Sequence, residues 1–428
     1  MNYEIEFIKD VLRGKVTCGD FIVRVGRYAK NISGHFPMFV ATHVLGPFFW
    51  RRGIVFLTWY YSSTNKIGEM AHQFDLYVKM EMLGWGPSAK GIIIARNGIS
   101  NPCLLKYWKR YIRVIDHPLF TRYLFLLAAF VQYNTAIIKM PDGEIVHKNR
   151  AIVEVQKQWE KERRQPLLVL SSSHHERGWD CLEHLGVPRG AWFVCLHVRE
   201  DGFLKGKDVA TANAYRDADI NTYLLAVKTI VESGGWVIRM GDPTMKPLPS
   251  MRHVIDYTRS EARSDWMDIF CCAECRFFLG STSGLFLVSF DFGVPCALAN
   301  YTPLGEFPWS EKDIFIPKLY WSSIEGHYLT FKEALAPQLK YCYDGRLFDS
   351  SNIKVIDNTQ EEINDLVLEM LGRLKGNLDY TEEDNCQQKK YSRLLSSTKY
   401  GMNCRIGKEF LRKYTWLLPD FNNKENGM

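Results

Sequence analysis

With 428 residues, 46% of them hydrophobic and 24% charged, the chain has the length of two ordinary domains and the balance of a globular protein. A formal charge of +6 suits a phosphate-bearing ligand or an anionic membrane face, but the basic runs Lys205–Lys207 and Lys389–Lys390 are too short for a nucleic-acid surface. No stretch reaches the about 18 apolar residues that cross a bilayer; the longest, Tyr123–Val131, reads as a buried helix.

The opening MNYEIEFIKD is acidic where a secretory signal is basic and then apolar, so the 11 cysteines read as reduced thiols in a cytoplasmic protein. Cys271, Cys272 and Cys275 have no second ligand pair and fall in a buried helix, which argues packing rather than zinc.

Along the chain, strand-like apolar runs alternate with amphipathic helical ones, the pattern of an α/β fold with parallel sheets. Gly53–Tyr61 reads as a strand, followed by a turn at Ser62–Lys66 and a helix from Ile67. Gly91–Ala95 and Ile112–Asp116 read as strands around a helix over Pro102–Tyr111. A charge-laced helix over Ala151–Arg164 stops at Gln165-Pro166, because proline disfavours helical backbone before it, and a domain boundary is expected there.

The second half restarts the alternation. A helix is expected over Trp179–Leu185, a strand over Trp192–Val198, and a helix over Ile220–Val231 closed by Gly234. Trp236–Met240 reads as a strand, Asp265–Glu274 as a helix, and Phe277–Leu279 as a strand. A helix over Gly284–Phe292 and strands at Pro295–Ala299 and Ile353–Ile356 follow. Thr359 and Glu362 have capping-box spacing before the apolar positions Ile363, Leu366, Val367 and Met370. Residues 375–400 read as a polar linker, and Phe410–Leu418 as a last helix stopped by Pro419.

The residues with chemical content lie between 195 and 320. Strand Trp192–Val198 delivers His197-Val198-Arg199 at its C-terminal end, where open α/β sheets bind ligands, and the fork of Arg199 can hold a diphosphate bidentately. Trp236–Met240 ends in Gly241-Asp242-Pro243, so Arg239 and Asp242 are candidates for the same cleft, with an Asx-turn as the plainer role of Asp242. After Phe277–Leu279 come Gly280-Ser281-Thr282-Ser283-Gly284 and a helix, a hydroxyl-rich turn suited to an anion, although plain N-capping is the simpler use of one such hydroxyl. No GxGxxG follows any strand, which disfavours dinucleotide cofactors.

These pieces, from His197 to Phe290, resemble the fucosyltransferase superfamily (α1,6-, nodulation and protein O-fucosyltransferases), whose HxR motif and G-[ST]-x-S loop hold the donor nucleotide. A near full-length resemblance is to a bacterial family of glycosyltransferases from surface-polysaccharide gene clusters. It is carried by Tyr215–Tyr223, Gly234–Pro243, Ser264–Asp268, Gly293–Asn300 and Asp313–Trp321. Lys66–Ala71 is similar to that family's RIGHLA-type turn, departing from it with Lys66 for Arg and Glu69 for His.

The resemblance implies a GT-B-like architecture: two Rossmann-like α/β domains facing a cleft, 1–165 on the acceptor side and 166–375 holding the donor. Segment 376–428 would be a linker with a C-terminal helix returning to the first domain. It also implies transfer of a sugar from a nucleotide diphosphate-sugar, a GDP-sugar by analogy, to a glycan or lipid-linked acceptor at the inner face of the membrane.

On that reading Arg199 takes the β-phosphate, His197 and Asp268 lie by the base or ribose, and Ser281, Thr282 and Ser283 take further phosphate oxygens, with Lys318 a second phosphate contact. The superfamily's base position falls on Lys207, so that equivalence fails, and Asp208 and Asp201 are the nearest candidates. Asp217-Ala218-Asp219 reads as a helix start rather than a metal-binding DxD, so metal-independent transfer is expected. A nucleotide-sugar epimerase or hydrolase and a non-catalytic binding scaffold are the competing readings.

Overall fold

The computed structural model describes residue 51 and residues 54–56, 64–86, 90–95, 98–117, 119–121, 137–200, 212–395 and 402–419. They fall into two compact units. The smaller contains a three-stranded parallel sheet, β1 (Ile54–Phe56), β2 (Lys90–Ile94) and β3 (Arg113–Ile115), in the order β1-β2-β3. These are cores of the three strands expected in the first half; the span Tyr123–Val131 lies outside the described residues.

The larger unit takes residues 64–86, 98–111 and everything described from residue 137 onward, and spans Gln165-Pro166 without a break. Its first elements are helix α1 (Ile67–Met82), helix α2 (Pro102–Trp108), the antiparallel pair β4 (Ile137–Lys139) and β5 (Ile145–His147), and helix α3 (Lys148–Lys161). Helix α2 is started by Asn101, whose side chain accepts the Leu104 N–H at 2.8 Å, with Pro102 at the position where a missing N–H costs nothing. Leu76 and Met80 of α1, Ile138 and Val146 of the pair, and Ile152 and Val155 of α3 close one apolar cluster.

A seven-stranded sheet makes the centre of this unit. Its strands are β6 (Phe193–His197), β7 (Trp236–Arg239), β8 (Val254–Asp256), β9 (Phe277–Gly280), β10 (Cys296–Tyr301), β11 (Ile314–Pro317) and β15 (Arg405–Ile406). All pairings in it are parallel, in the order β8-β7-β6-β9-β10-β11-β15. Parallel strands are covered on both faces, so they read as continuous apolar runs, and FVCLH, FFLG and CALANY are buried at every position. Chain order runs outward from β6 to β8, then returns to the other side of β6 with β9. The reversal between β6 and β9 is the topological switch point of the sheet.

Helix α4 (Ser172–His184) precedes β6, and α5 (Leu224–Glu232), α6 (Asp265–Glu274) and α7 (Leu285–Asp291) lie on connections between these strands. The helix expected over Ile220–Val231 begins as a 3-10 turn at Ile220–Tyr223, and Gly234 follows it at φ 87°, the left-handed conformation that glycine takes without strain. Helix α8 (Gln360–Lys375) carries the expected capping box of Thr359 and Glu362 and packs on α5.

Three differences from expectation stand out in the C-terminal third. Strand β14 (Ile353–Ile356) pairs antiparallel with β12 (Leu319–Ser322), which also pairs with β13 (His327–Tyr328), outside the parallel sheet. The segment expected as a linker contains helix α9 (Glu382–Leu395), which buries only the narrow stripe Asp384, Gln387, Tyr391 and Leu395. The last expected helix is α10 (Lys408–Lys413) followed by a 3-10 turn at Thr415–Leu417. No helix among the described residues is long and apolar enough to cross a membrane.

Candidate functional site

The switch point brings the two sequence motifs together. His197 at the end of β6 is the register partner of Gly280 at the end of β9. A Cβ at Gly280 would lie 2.2 Å from the His197 carbonyl oxygen, so only glycine permits the two strand ends to approach this closely. Beyond them the Ser281 N–H donates to the His197 carbonyl at 3.1 Å, and the Arg199 N–H donates to Ser281 Oγ at 2.9 Å.

The hydroxyls of this turn do not cap the helix after it. Helix α7 has Gly284 at its N-cap and no side-chain cap bond. Ser281 is occupied by the Arg199 amide, Thr282 Oγ1 accepts the Thr302 N–H at 3.2 Å, and Ser283 Oγ is buried with no hydrogen-bond partner among the described residues. Gly284 in turn lies against Gly68 in the first turn of α1: a Cβ on Gly68 would come within 2.8 Å of the Gly284 Cα. The Lys66–Ala71 turn and the hydroxyl turn are thereby adjacent.

Arg199 is largely buried, and its Nε donates to Asp217 Oδ1 at 3.0 Å. Burial and the neighbouring Arg216 lower its pKa, against the pull of Asp217. Arg216 follows the same turn, and its Nε is buried without a partner among the described residues. Lys318 lies deeper, 2% exposed, with its ammonium 2.7 Å from Asp357 Oδ1 and donating to the Asp217 carbonyl oxygen at 2.6 Å. Arg199, Arg216 and Lys318 thus lie with Asp217 and Asp357 beside the hydroxyl turn, and the charge of Arg216 also acts on the carboxylate of Glu306. Lys318 braces the Asp217 backbone more than it faces outward. Asp219 caps the next turn by accepting the Asn221 N–H, as expected, whereas Asp217 belongs to the site.

His197 is buried, and its Nδ1 has no hydrogen-bond partner among the described residues. Burial, aided by the charges of Arg239 and Arg199, pushes its pKa down to about 4, so the imidazole is neutral at physiological pH and can act as an acceptor or a neutral donor.

Other expected site residues sit elsewhere. The Arg239 guanidinium is fully buried, 3.3 Å from Glu200 Oε2 and 3.5 Å from Asp256 Oδ1, and donates to the Lys246 carbonyl at 2.8 Å. Its charge is balanced inside the protein, where it secures the loop after β7. Asp242 forms the plainer structure considered for it, an Asx-turn accepting the Thr244 N–H at 3.0 Å, with Arg263 3.8 Å away. Asp268 is in the first turn of α6, where burial raises its pKa to about 6 against the Tyr257 hydroxyl and Arg263; its neighbours are these, not Arg199. Asp201 and Asp208 lie outside the described residues.

Glu306, on which the charge of Arg216 acts, was not singled out by sequence reading. It lies on the loop after β10, and its Oε1 accepts hydrogen bonds from Asn149 Nδ2 at 2.9 Å and from the Tyr343 hydroxyl. Burial raises its pKa, opposed by Tyr343, Arg216 and Asn149. No local motif announces it, because its partners come from α3, the turn before Asp217 and the segment after residue 340.

No family model and no curated protein matches the chain. Among solved structures it is similar to a glycosyl transferase family 9 protein from Veillonella parvula, at 9% identity and a TM-score of 0.41 over 74% of this chain and 97% of that one. The Escherichia coli ADP-heptose LPS heptosyltransferase II aligns at 14% identity and a TM-score of 0.39, over 74% and 98% of the two chains. The dodecameric iron-containing heptosyltransferase TibC of enterotoxigenic E. coli, in complex with ADP-D-beta-D-heptose, aligns at 13% identity and a TM-score of 0.40, over 75% and 77%.

Proposed function

We propose that the chain is a GT-B-like glycosyltransferase that moves a sugar from a nucleotide diphosphate-sugar to a hydroxyl of a glycan or lipid-linked glycan in surface-polysaccharide synthesis. One observation carries this reading: at the switch point of a 3-2-1-4-5-6-type parallel sheet, Arg199 and the hydroxyl turn Ser281–Ser283 are joined by a direct hydrogen bond. Ligands of open α/β sheets bind at that place, beyond the carboxyl ends of the strands. A guanidinium, a second cation from Arg216 and an uncommitted Ser283 hydroxyl are the groups a diphosphate needs.

The chemistry follows from charge. Departure of a diphosphate places negative charge on oxygens beside Arg199 and Arg216, and cations fixed in a partly desolvated site stabilise that charge without reorganising. Neutral His197, buried next to them, adds no competing positive charge and suits the uncharged base or ribose. On the resemblance of the HVR and GSTS motifs the donor is a GDP-sugar, and the resident cations make a metal ion unnecessary.

The test is a thermal-shift and calorimetric panel of GDP, ADP, UDP and dTDP against the full chain. Binding raises the melting temperature by mass action, and the base that does so identifies the donor class. Arg199→Ala is expected to weaken the preferred diphosphate by about 10- to 100-fold, the range of one lost charge-assisted hydrogen-bond set, with Arg199→Lys intermediate. Unchanged affinity of a folded Arg199→Ala protein for every nucleotide in the panel removes the reading.

A further inference from the structure

We propose that Glu306 is the general base of this transfer, its Oε2 taking the proton of the acceptor hydroxyl. This rests on the glycosyltransferase reading above and assigns a residue to the step that reading leaves open. The loop carrying Glu306 is attached to the donor site: Thr302, at its start, donates its N–H to Thr282 Oγ1 at 3.2 Å, and the Glu306 N–H closes a turn on the Pro303 carbonyl at 3.1 Å. Glu306 thereby follows, four residues along the chain, the Thr302 amide that is bonded to the hydroxyl turn, and the Arg216 charge acts on its carboxylate.

Its two oxygens are unequal. Oε1 accepts from both Asn149 and Tyr343, which fixes the plane of the group, and among the described residues neither bond lands on Oε2. An anchored carboxylate with one uncommitted oxygen is the geometry a general base requires. Burial also raises its proton affinity, in the direction that suits a base working near neutral pH.

The other described carboxylates nearby are each paired with a cation, although Glu200 Oε1 has no partner among the described residues. Asp217 holds Arg199, and Asp357 holds Lys318. Glu200 Oε2 accepts from Arg239 and the Lys246 N–H. Glu69 is ringed by Gln73, His72 at 3.8 Å and Lys148 at 3.7 Å; burial raises its pKa, but the charges of His72, Lys148 and Lys66 more than offset this, which makes it a poorer proton acceptor.

The step balances as a single displacement with inversion. The acceptor proton passes to Glu306 Oε2, and an electron pair of the acceptor oxygen forms the bond to the anomeric carbon. The bond from that carbon to the diphosphate oxygen breaks, its electron pair leaving on the diphosphate between Arg199 and Arg216. Water in place of the acceptor gives donor hydrolysis by the same path.

The experiment uses donor hydrolysis by the full chain, with the sugar nucleotides of whichever base the binding panel selects, so no acceptor has to be known. Glu306→Gln preserves shape and the acceptor atom for Asn149 and Tyr343. It is expected to lower turnover by about 10²- to 10⁴-fold and to abolish the acid limb of the pH–rate profile, while diphosphate affinity and melting temperature stay at wild-type values. Glu306→Asp, which moves the oxygens back by one methylene, is expected to recover part of the rate.

Retention by Glu306→Gln of the wild-type rate, or of the acid limb, overturns the assignment. So does a wild-type protein that binds the diphosphate but turns over none of its sugar nucleotides. A wild-type protein that binds no nucleoside diphosphate at all fails earlier, at the donor site, and is distinguished by the binding panel.

Discussion

At position 280 a single methyl group has nowhere to go. An added Cβ would meet the His197 carbonyl oxygen at 2.2 Å and the Phe278 ring at 2.9 Å, and the first of these is backbone, which cannot rotate away. Gly280→Ala is therefore expected to cost about 1–3 kcal/mol, the usual range for overpacking, and to separate Ser281 from the Arg199 amide. Chemical denaturation measures the first effect and calorimetry with the preferred nucleoside diphosphate the second. A variant with wild-type stability and affinity would show that the strand ends move apart freely. The same scale separates the arginines: Arg199 has one carboxylate partner in a largely buried position beside the hydroxyl turn, while Arg239 is surrounded by Glu200, Asp256 and a carbonyl.

At the scale of elements, the contact between α1 and α7 contains three ionisable groups removed from water: Asp75, Lys79 and Asp291. Lys79 Nζ lies 2.7 Å from Asp75 Oδ2, donates to Gln156 Oε1 of α3 at 2.8 Å, and stands over the rings of Phe290 and Trp159. Gln156 also donates to Glu160 on the same helix.

One ammonium cannot balance two carboxylates. Burial, and then Asp75, raises the pKa of Asp291 well above the ordinary 3.8, with Lys79 opposing. A raised carboxyl pKa means that the folded protein keeps a proton the unfolded chain has lost. Stability is thus greatest on the acid side of that group's window and falls as pH climbs above 3.8, by at most about 1.4 kcal/mol per pH unit for one proton. Asp291→Asn keeps the shape and removes the proton, so its melting temperature is expected to decline less with pH between 4 and 9 than that of the wild type. Equal slopes would mean that the pair does not titrate on unfolding.

At the scale of the molecule, the C-terminal segment completes the large sheet. Arg405–Ile406 pairs with β11 as the seventh strand, and Phe410, Leu411 and Leu417 are buried behind it. Arg412 bonds to both oxygens of Asp384 on α9, and Lys413 lies 2.6 Å from Glu362 on α8. A chain ending after Leu395 would expose Ile316 and Leu366 beside the lost Gly407 and leave Asp384 and Glu362 buried without these cations. It is expected to melt at a lower temperature and to aggregate on size-exclusion chromatography. A monodisperse truncation with the wild-type melt would show that the segment is dispensable.

What the amino-acid order determined by itself is local. Continuous short apolar runs such as FVCLH and FFLG read as strands buried on both faces, and the motifs at their ends, HVR and GSTSG, mark strand ends whatever the topology. Capping boxes and glycine stops placed α8 and the end of α5 for the same reason, since their partners lie within a few residues. Helix α9 escaped notice because one buried residue per turn is too narrow a stripe to register in a polar sequence. Tertiary structure decided what depends on distant partners. It chose the strand order that joins the HVR and GSTS turns, the burial that assigns Arg239 to the scaffold and Asp217 to the site, and the approach of Asn149, Arg216 and Tyr343 to Glu306. Periodicity records which face of an element is buried, but not which other element buries it, and a carboxylate's role is set by the charges that the fold brings against it.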